Sequence, residues 1–198
     1  NLADLKGVLG ITSTTDDTVM RKILESASRA IDNYTNRFFY CKTQTRYFDG
    51  GVPLFVDDLL SVTTLKTDED GDATFENTFA ATDYILYPLN KFPKTGIQLS
   101  VNSDYGTFGI STKGCEIAAL WGYGDGISAT PYVTDTTITE DLTAGESAID
   151  VTAVTNLAAG NTILIGSEQY YIYSISTLTL TVEPGVNGTT QATHSSGA

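Results

Sequence analysis

Residues that carry most enzyme chemistry are scarce in this sequence. It holds one His, one Met, one Trp and two Cys in 198 residues. With a single imidazole and two thiols far apart in the chain, the Cys/His spacings of zinc sites are absent. No Ser stands in a Gly-x-Ser-x-Gly setting, and neither a phosphate-cradling Gly-rich loop nor a dinucleotide fingerprint occurs. His194, in a polar segment close to Ala198, reads as a surface or turn residue. Cys41 and Cys115 allow at most one disulfide and read as buried small hydrophobes of a reducing compartment. No apolar run approaches the roughly 18 residues that a membrane span needs, and no basic-then-apolar signal segment opens the chain. The chain starts at Asn1 rather than Met, so a few leading residues are expected to precede it. These shortages predict no catalytic residue, no cofactor, no metal and no membrane partner.

Positive charge is the other shortage, and it is unevenly distributed. Eleven Lys and Arg face 24 Asp and Glu, a net charge of −13. Lys113 is the last cation, and the chain from Gly114 to Ala198 carries only acids. The stretch up to Cys41 is balanced, with Lys6, Arg21, Lys22, Arg29 and Arg37 against Asp4, Asp16, Asp17, Glu25 and Asp32. A surface of this sign repels a nucleic-acid backbone at close range and binds no phosphates by charge neutralisation. Conventional DNA binding is therefore not expected. A protein that stays near DNA without gripping it remains compatible with the charge.

What is present describes a folded chain: hydrophobic residues make up 41% of it, enough for a sizeable core. Leu2, Leu5, Val8 and Leu9 follow a three-to-four spacing up to Gly10 and predict a first helix. Ser13, Thr14 and Thr15 then offer N-caps, and Thr14 with Asp17 approximates a capping box. Asp16 and Asp17 suit the positive end of the helix dipole. Beyond them Val19, Ile23, Leu24, Ala27, Ala30, Ile31 and Tyr34 draw one apolar stripe. Arg21, Lys22, Glu25, Arg29 and Asp32 fall mostly off it, which predicts an amphipathic helix of about five turns closed by Asn36. The stripe belongs either to a domain core or, in part, to the contact face of a partner.

From Thr43 the pattern changes to strands. Thr45, Tyr47 and Phe48 lead to the turn Asp49-Gly50-Gly51, then Leu54-Phe55-Val56, and Leu60, Val62 and Leu65 interleave with polar residues. Further strands are predicted at Tyr84–Tyr87, Ile97–Val101 and Cys115–Trp121. The fold class is α+β: N-terminal helices followed by an antiparallel sheet over residues 1–125. Residues 126–134 have no periodicity and read as a linker. Over 135–198, short Thr/Ile/Val-rich strands at Thr136–Thr139, Ala148–Thr152, Thr162–Ile165, Gln169–Ile175 and Leu178–Val182 predict a small all-β barrel or sandwich.

Two acidic groups stand out. Asp57-Asp58 reads as an acidic turn, and Asp68, Glu69, Asp70 and Asp72 fall in a hairpin turn after Leu65. Asp68-x-Asp70-x-Asp72 is the nearest approach to a metal motif. An EF-hand loop starting there needs Gly at position 73 and Glu at position 79, where the chain has Ala73 and Phe79. The group therefore reads as a solvated turn. A pair of carboxylates for glycoside hydrolysis is a more distant reading, because nothing selects one pair among so many acids.

Taken in order, several segments carry a family likeness. The run NLADLKGVLGITSTTDDTVMRKILESASRAIDNYTNRFF resembles the start of head–tail connector (adaptor) proteins of long-tailed bacteriophages. So do TRYFDGG, DDLLSVTTLKTDEDGD, DYILYPLN and WGYGD, in that order, so that the resemblance covers residues 2 to 125. It implies a non-catalytic virion protein of the neck, assembled in the host cytoplasm. It further implies a homo-oligomeric, twelve-fold ring beneath the portal protein, joined to a downstream neck or tail-completion protein, with DNA passing through unbound. Under that resemblance Asp57, Asp58, Asp68, Glu69, Asp70 and Asp72 are candidates for the channel wall. Arg21, Lys22, Arg29 and Arg37 are candidates for an oligomer or portal interface. The segment LAAGNTILIGSEQYYIYSISTLTLTVEPGVNGTTQATHSSGA is similar to a small β-domain of several virion proteins, in which an Arg often occupies the place of Pro184. Connector relatives usually follow Trp-Gly-Tyr-Gly with a further helix. Here the β-module stands in its place, so that helix is expected either beyond Ala198 or replaced. The rival reading is a virion attachment or carbohydrate-binding module, suggested by eleven Tyr, although strand alternation should bury at least one of Tyr170, Tyr171 and Tyr173.

Overall fold

The computed structural model describes residues 2–198, so Asn1 lies outside the described residues. Two helices come first, α1 (Leu2–Leu9) and α2 (Asp17–Thr35). Each ends as its sequence demands. Gly10 adopts φ 67°, and the Ile11 amide reaches back to the Lys6 carbonyl at 2.9 Å. Asn36 takes φ 52°, and the Arg37 amide reaches the Asp32 carbonyl at 3.1 Å. Both are left-handed caps with the bond from C″ to C3 that satisfies a terminal carbonyl. Before α2 it is Ser13, rather than Thr14, whose hydroxyl accepts an amide hydrogen bond, from Thr15.

Among the described residues ten strands follow, all paired antiparallel. β1 (Lys42–Phe48), β2 (Leu54–Thr67), β3 (Asn77–Phe79), β4 (Tyr84–Tyr87), β5 (Lys94–Leu99) and β6 (Cys115–Trp121) form one sheet. Its order is β1-β6-β2-β5-β4, with β3 paired to β2. β7 (Ala148–Asp150), β8 (Thr162–Ile165), β9 (Glu168–Ser176) and β10 (Thr179–Pro184) form a second sheet of order β7-β10-β9-β8. The α+β expectation holds. Leu54-Phe55-Val56 and Leu60–Leu65, read as separate strands, are one long strand β2, because its register irregularity between Phe55 and Leu59 bends the chain without ending the pairing. Thr136–Thr139 is not a strand beyond the single bridge Ile138–Val151.

Spatially the chain divides into two compact units, residues 1–31 with 132–198 and residues 32–131. In the second unit the core is built on β6, where Cys115, Ile117, Ala119 and Trp121 alternate inward. They meet Leu54, Leu59 and Leu65 of β2, Ile97 of β5, Phe79 and Phe108. Each fully buried aliphatic side chain there contributes roughly 1.5–3 kcal/mol. The Trp121 indole N–H donates to the Gln44 carbonyl at 2.8 Å, so its polar edge is satisfied inside. Both cysteines are buried, and neither forms a disulfide. Burial, with Asp125 near Cys41 and Asp49 near Cys115, pushes them up to about 11 and about 12, and they act as small core hydrophobes.

The first unit has its own core of Ile138, Leu142, Ile149, Val151, Ile165, Tyr170, Ile172, Leu180 and Val182. Within that unit α2 is oriented against the expectation of a core stripe. Met20, Arg21, Leu24 and Arg29 are half-buried, whereas Val19, Ile23 and Ile31 are 58%, 60% and 54% exposed. Tyr34, at the far end of the stripe, is 92% exposed. The side that packs is mixed, with Met20 and Leu24 beside Arg21 and Arg29, and the rest of the apolar stripe faces solvent.

Gly122, the residue after the buried Trp, is held at φ 123°. A Cβ there would collide with the Tyr40 carbonyl oxygen. Gly122→Ala is expected to destabilise residues 32–131 by about 2–4 kcal/mol. Gly96→Ala, whose Cβ would meet nothing closer than 3.8 Å, should cost less than about 1 kcal/mol. Urea unfolding followed by Trp121 fluorescence checks both.

Candidate functional site

The acidic turn after β2 is a closed structure and not a loose chain of charges. Asp68 is 4% exposed. Its Oδ1 accepts from the Gly71 amide at 2.7 Å and its Oδ2 from the Ala73 amide at 2.9 Å. Asp70 and Asp72 repeat the pattern on the amides of Asp72 and Thr74 at 3.2 and 2.7 Å. Ala73 sits at φ 70°, the left-handed geometry for which an EF-hand uses Gly. The turn also recruits Glu76, which the sequence reading passed over, through the Glu69 amide at 3.2 Å. Carboxylate oxygens of Asp68, Asp70, Asp72 and Glu76 all lie within 4.8 Å of one another. These four are the residues able to hold a hard cation, yet the backbone amides already organise the turn. Glu69, Asp70 and Asp72 present exposed negative charge, while Asp68 serves the turn's own geometry.

Asp57 and Asp58 do not form a turn. They lie within β2, at its register irregularity, which aims neighbouring residues differently. Asp57 Oδ2 meets Arg46 Nη1 at 2.8 Å with its side chain 62% exposed. Asp58 is 10% exposed, and its Oδ2 lies 3.4 Å from Arg37 Nε. Burial raises the Asp58 carboxyl above the usual range, with Arg37 opposing. Arg37, expected at an interface, is thus engaged within residues 32–131, and it also lies 5.8 Å over the Tyr123 ring. Asp32, Arg37, Arg46, Asp57 and Asp58 share the lining of a small cleft of about 190 Å³.

Arg21, Lys22 and Arg29 are brought together. All three line a cleft of about 430 Å³ between α2 and the strands β8–β10. The Arg21 guanidinium stacks 3.9 Å over the Tyr173 ring. The Tyr173 hydroxyl donates to Glu183 Oε2 at 2.6 Å, and its ring meets that of Tyr171 edge-on at 5.4 Å. Burial and the Glu183 carboxylate push the Tyr173 phenol far up. Tyr170, in contrast, is fully buried.

His194 is not a surface residue. Its side chain is 9% exposed, and Nε2 lies 3.0 Å from Oε2 of Glu168, whose side chain is fully buried. The same Oε2 accepts from the Tyr170 hydroxyl at 2.8 Å and the Ala192 amide at 2.9 Å. Burial raises the Glu168 carboxyl, but the bonds from His194, Ala192 and Tyr170 outweigh it and hold it below the usual range. The pair ties the C-terminal segment, bridged at Leu142–His194, to β9. Nothing in the spacing of His194 and Glu168 along the chain announced the contact. No nucleophile stands in this group, and its chemistry is that of a structural clasp.

Residues 1–89 match the family described as phage gp6-like head-tail connector protein. That bears out the likeness read from the N-terminal segments, and the match does not reach the C-terminal β-module. The match points to a structural connector role in a phage virion. No curated protein and no solved structure matches the chain.

His194→Ala, by removing one of the three donors to the buried Glu168 carboxylate, is expected to destabilise the β-module by about 1–3 kcal/mol. The Glu168 carboxyl is lowered in the folded state, so its stabilisation is present above about pH 4.3, the unfolded value, and is lost as pH falls through the folded value. Glu168→Gln should therefore weaken hydrogen-exchange protection of β9 and β10 at pH 7. Its difference from the parent should vanish in strong acid.

Proposed function

We propose that this chain is the head–tail connector of a tailed phage, forming a ring beneath the portal through which DNA passes. The observation that carries the reading is the family match over residues 1–89. In this reading residues 1–125 are the connector part, 126–134 the linker, and 135–198 an accessory module turned to another protein or to the outside of the neck. Subunits associate into a ring that matches the portal's symmetry, twelve-fold, and a downstream neck protein closes the other side.

Two structural facts support it. A helix with Val19, Ile23 and Ile31 more than half exposed leaves apolar surface that a neighbouring protein covers at a gain of roughly 25 cal/mol per Å². A net charge of −13 per copy suits a wall near DNA, since within a Debye length of roughly 8–10 Å it discourages phosphates from sticking. Glu69, Asp70 and Asp72, and Asp57 beside Arg46, are the exposed acids of the proposed wall. The attachment-module reading gains less support. Tyr170 lies in the core and one face of Tyr173 is covered by Arg21, which leaves few open aromatic faces for a sugar.

Cryo-electron microscopy of tailless, DNA-filled heads incubated with the protein tests the reading. Ring-shaped density under the portal is the expected result, and bare portals would overturn it. Ile23→Asp, at an exposed position, should leave folding stability within about 0.5 kcal/mol of the parent while abolishing the ring. If Glu69, Asp70 and Asp72 line the passage, the triple change to Gln, Asn and Asn should slow DNA ejection from reconstituted virions roughly twofold or more. An unchanged ejection rate sinks the channel-wall assignment.

A further inference from the structure

The cleft beside α2 holds cationic and hydroxyl groups whose bonding capacity is unengaged. Arg21 makes no hydrogen bond or ion pair among the described residues, and its Nε is buried without a partner. Stacking on Tyr173 occupies the face of the guanidinium and leaves the N–H donors along its edge. Lys22, on the same rim, has no ion pair among the described residues. The half-buried Tyr171 hydroxyl makes no hydrogen bond there either. Glu183, one of the two acids that line the cleft, accepts from Tyr173.

From this geometry we propose that the cleft is a docking site for a carboxylate-bearing peptide segment of a partner protein, with one Asp or Glu side chain seated on Arg21. The inference rests on the connector reading for the existence of such a partner, and it names the chemistry of the contact. Arg21 supplies the two parallel N–H donors that match a carboxylate, Tyr171 a hydroxyl donor, and Lys22 a second positive charge at the rim. Two acids, Glu25 and Glu183, also line the cleft. They disfavour a phosphate dianion or a nucleic-acid strand, which would bring more negative charge than the site neutralises. A single carboxylate on an otherwise uncharged segment meets no such penalty. The volume of about 430 Å³ is within the range of small-ligand sites and admits a few side chains. The cleft also accounts for Arg21 and Arg29 lying on the packed side of α2: they build the site, while Val19, Ile23 and Ile31 stay available for a different neighbour.

The test titrates the whole chain with a capped octapeptide carrying one glutamate and no other charge, following the Arg21 Nε–H and Tyr171 ring signals by NMR. The same peptide with glutamine in that place, inorganic phosphate and a short single-stranded DNA are the comparison arms. The expected result is saturable shifts with the glutamate peptide alone, weakened about tenfold or more by Arg21→Gln and several-fold by Lys22→Gln. The Lys22 change lies on the exposed rim, so it keeps the test valid if Arg21→Gln disturbs packing. Equal binding by the glutamine peptide, preference for phosphate or DNA, no shift at all, or indifference to both substitutions would each overturn the proposal. The connector reading is judged separately by density under the portal. A ring formed by a protein that ignores the acidic peptide removes the docking site and leaves the connector standing.

Discussion

Strand β6 sits between β1 and β2, and the larger sheet depends on its alternation. Every second side chain, Cys115, Ile117, Ala119 and Trp121, is buried, so a one-residue slip against either neighbour would turn the whole set outward. Register is thereby fixed on both sides at once, from Lys42 opposite Trp121 to Thr67 opposite Cys115. The consequences reach the ends of the strand. Trp121 sets the position of Gly122, whose unusual backbone lets the Asp58 carbonyl and the Tyr40 segment close in. At the other end Cys115 donates to the Phe108 carbonyl, and the Asp68 amide bonds to the Gly114 carbonyl at 2.9 Å. That bond anchors the acidic turn. A turn with this much like charge holds its shape because it springs from a strand that cannot shift.

The smaller sheet solves a different problem. Beside its apolar core it encloses a carboxylate, Glu168, at the start of β9. Burying that charge is tolerated because three donors converge on one oxygen. The arrangement draws the last residues of the chain back onto β9, which a terminal polar segment would not otherwise do. The module's other face carries Tyr171 and Tyr173 towards α2, so the helix and the strands share a polar, aromatic seam in place of an oily one.

That seam decides how α2 presents itself. A helix can bury only one side, and this one buries Arg21, Leu24 and Arg29 in part while Val19, Ile23 and Ile31 face water. For a protein that works alone the orientation is costly. Under the proposed connector reading, exposed apolar surface is what assembly would consume.

Local grammar settled much of this structure in advance. The ends of both helices follow from Gly10 and Asn36, which reach left-handed geometry at little cost, and β1, β4, β6 and β8 follow from period-two patterns with turn residues between them. The connector likeness was also legible, because it lives in an ordered set of segments. Tertiary structure alone decided the rest. Whether an amphipathic stripe turns inward depends on what stands opposite, and the strands that face α2 lie more than a hundred residues away in the chain. The same holds for His194 and Glu168, for Glu76 joining the acidic turn, and for Asp57-Asp58 lying in a strand, since two acids read as a turn until distant pairing holds them extended. Sequence carries the short-range preferences of each segment; which charges meet is fixed only when non-local packing brings them within hydrogen-bonding distance.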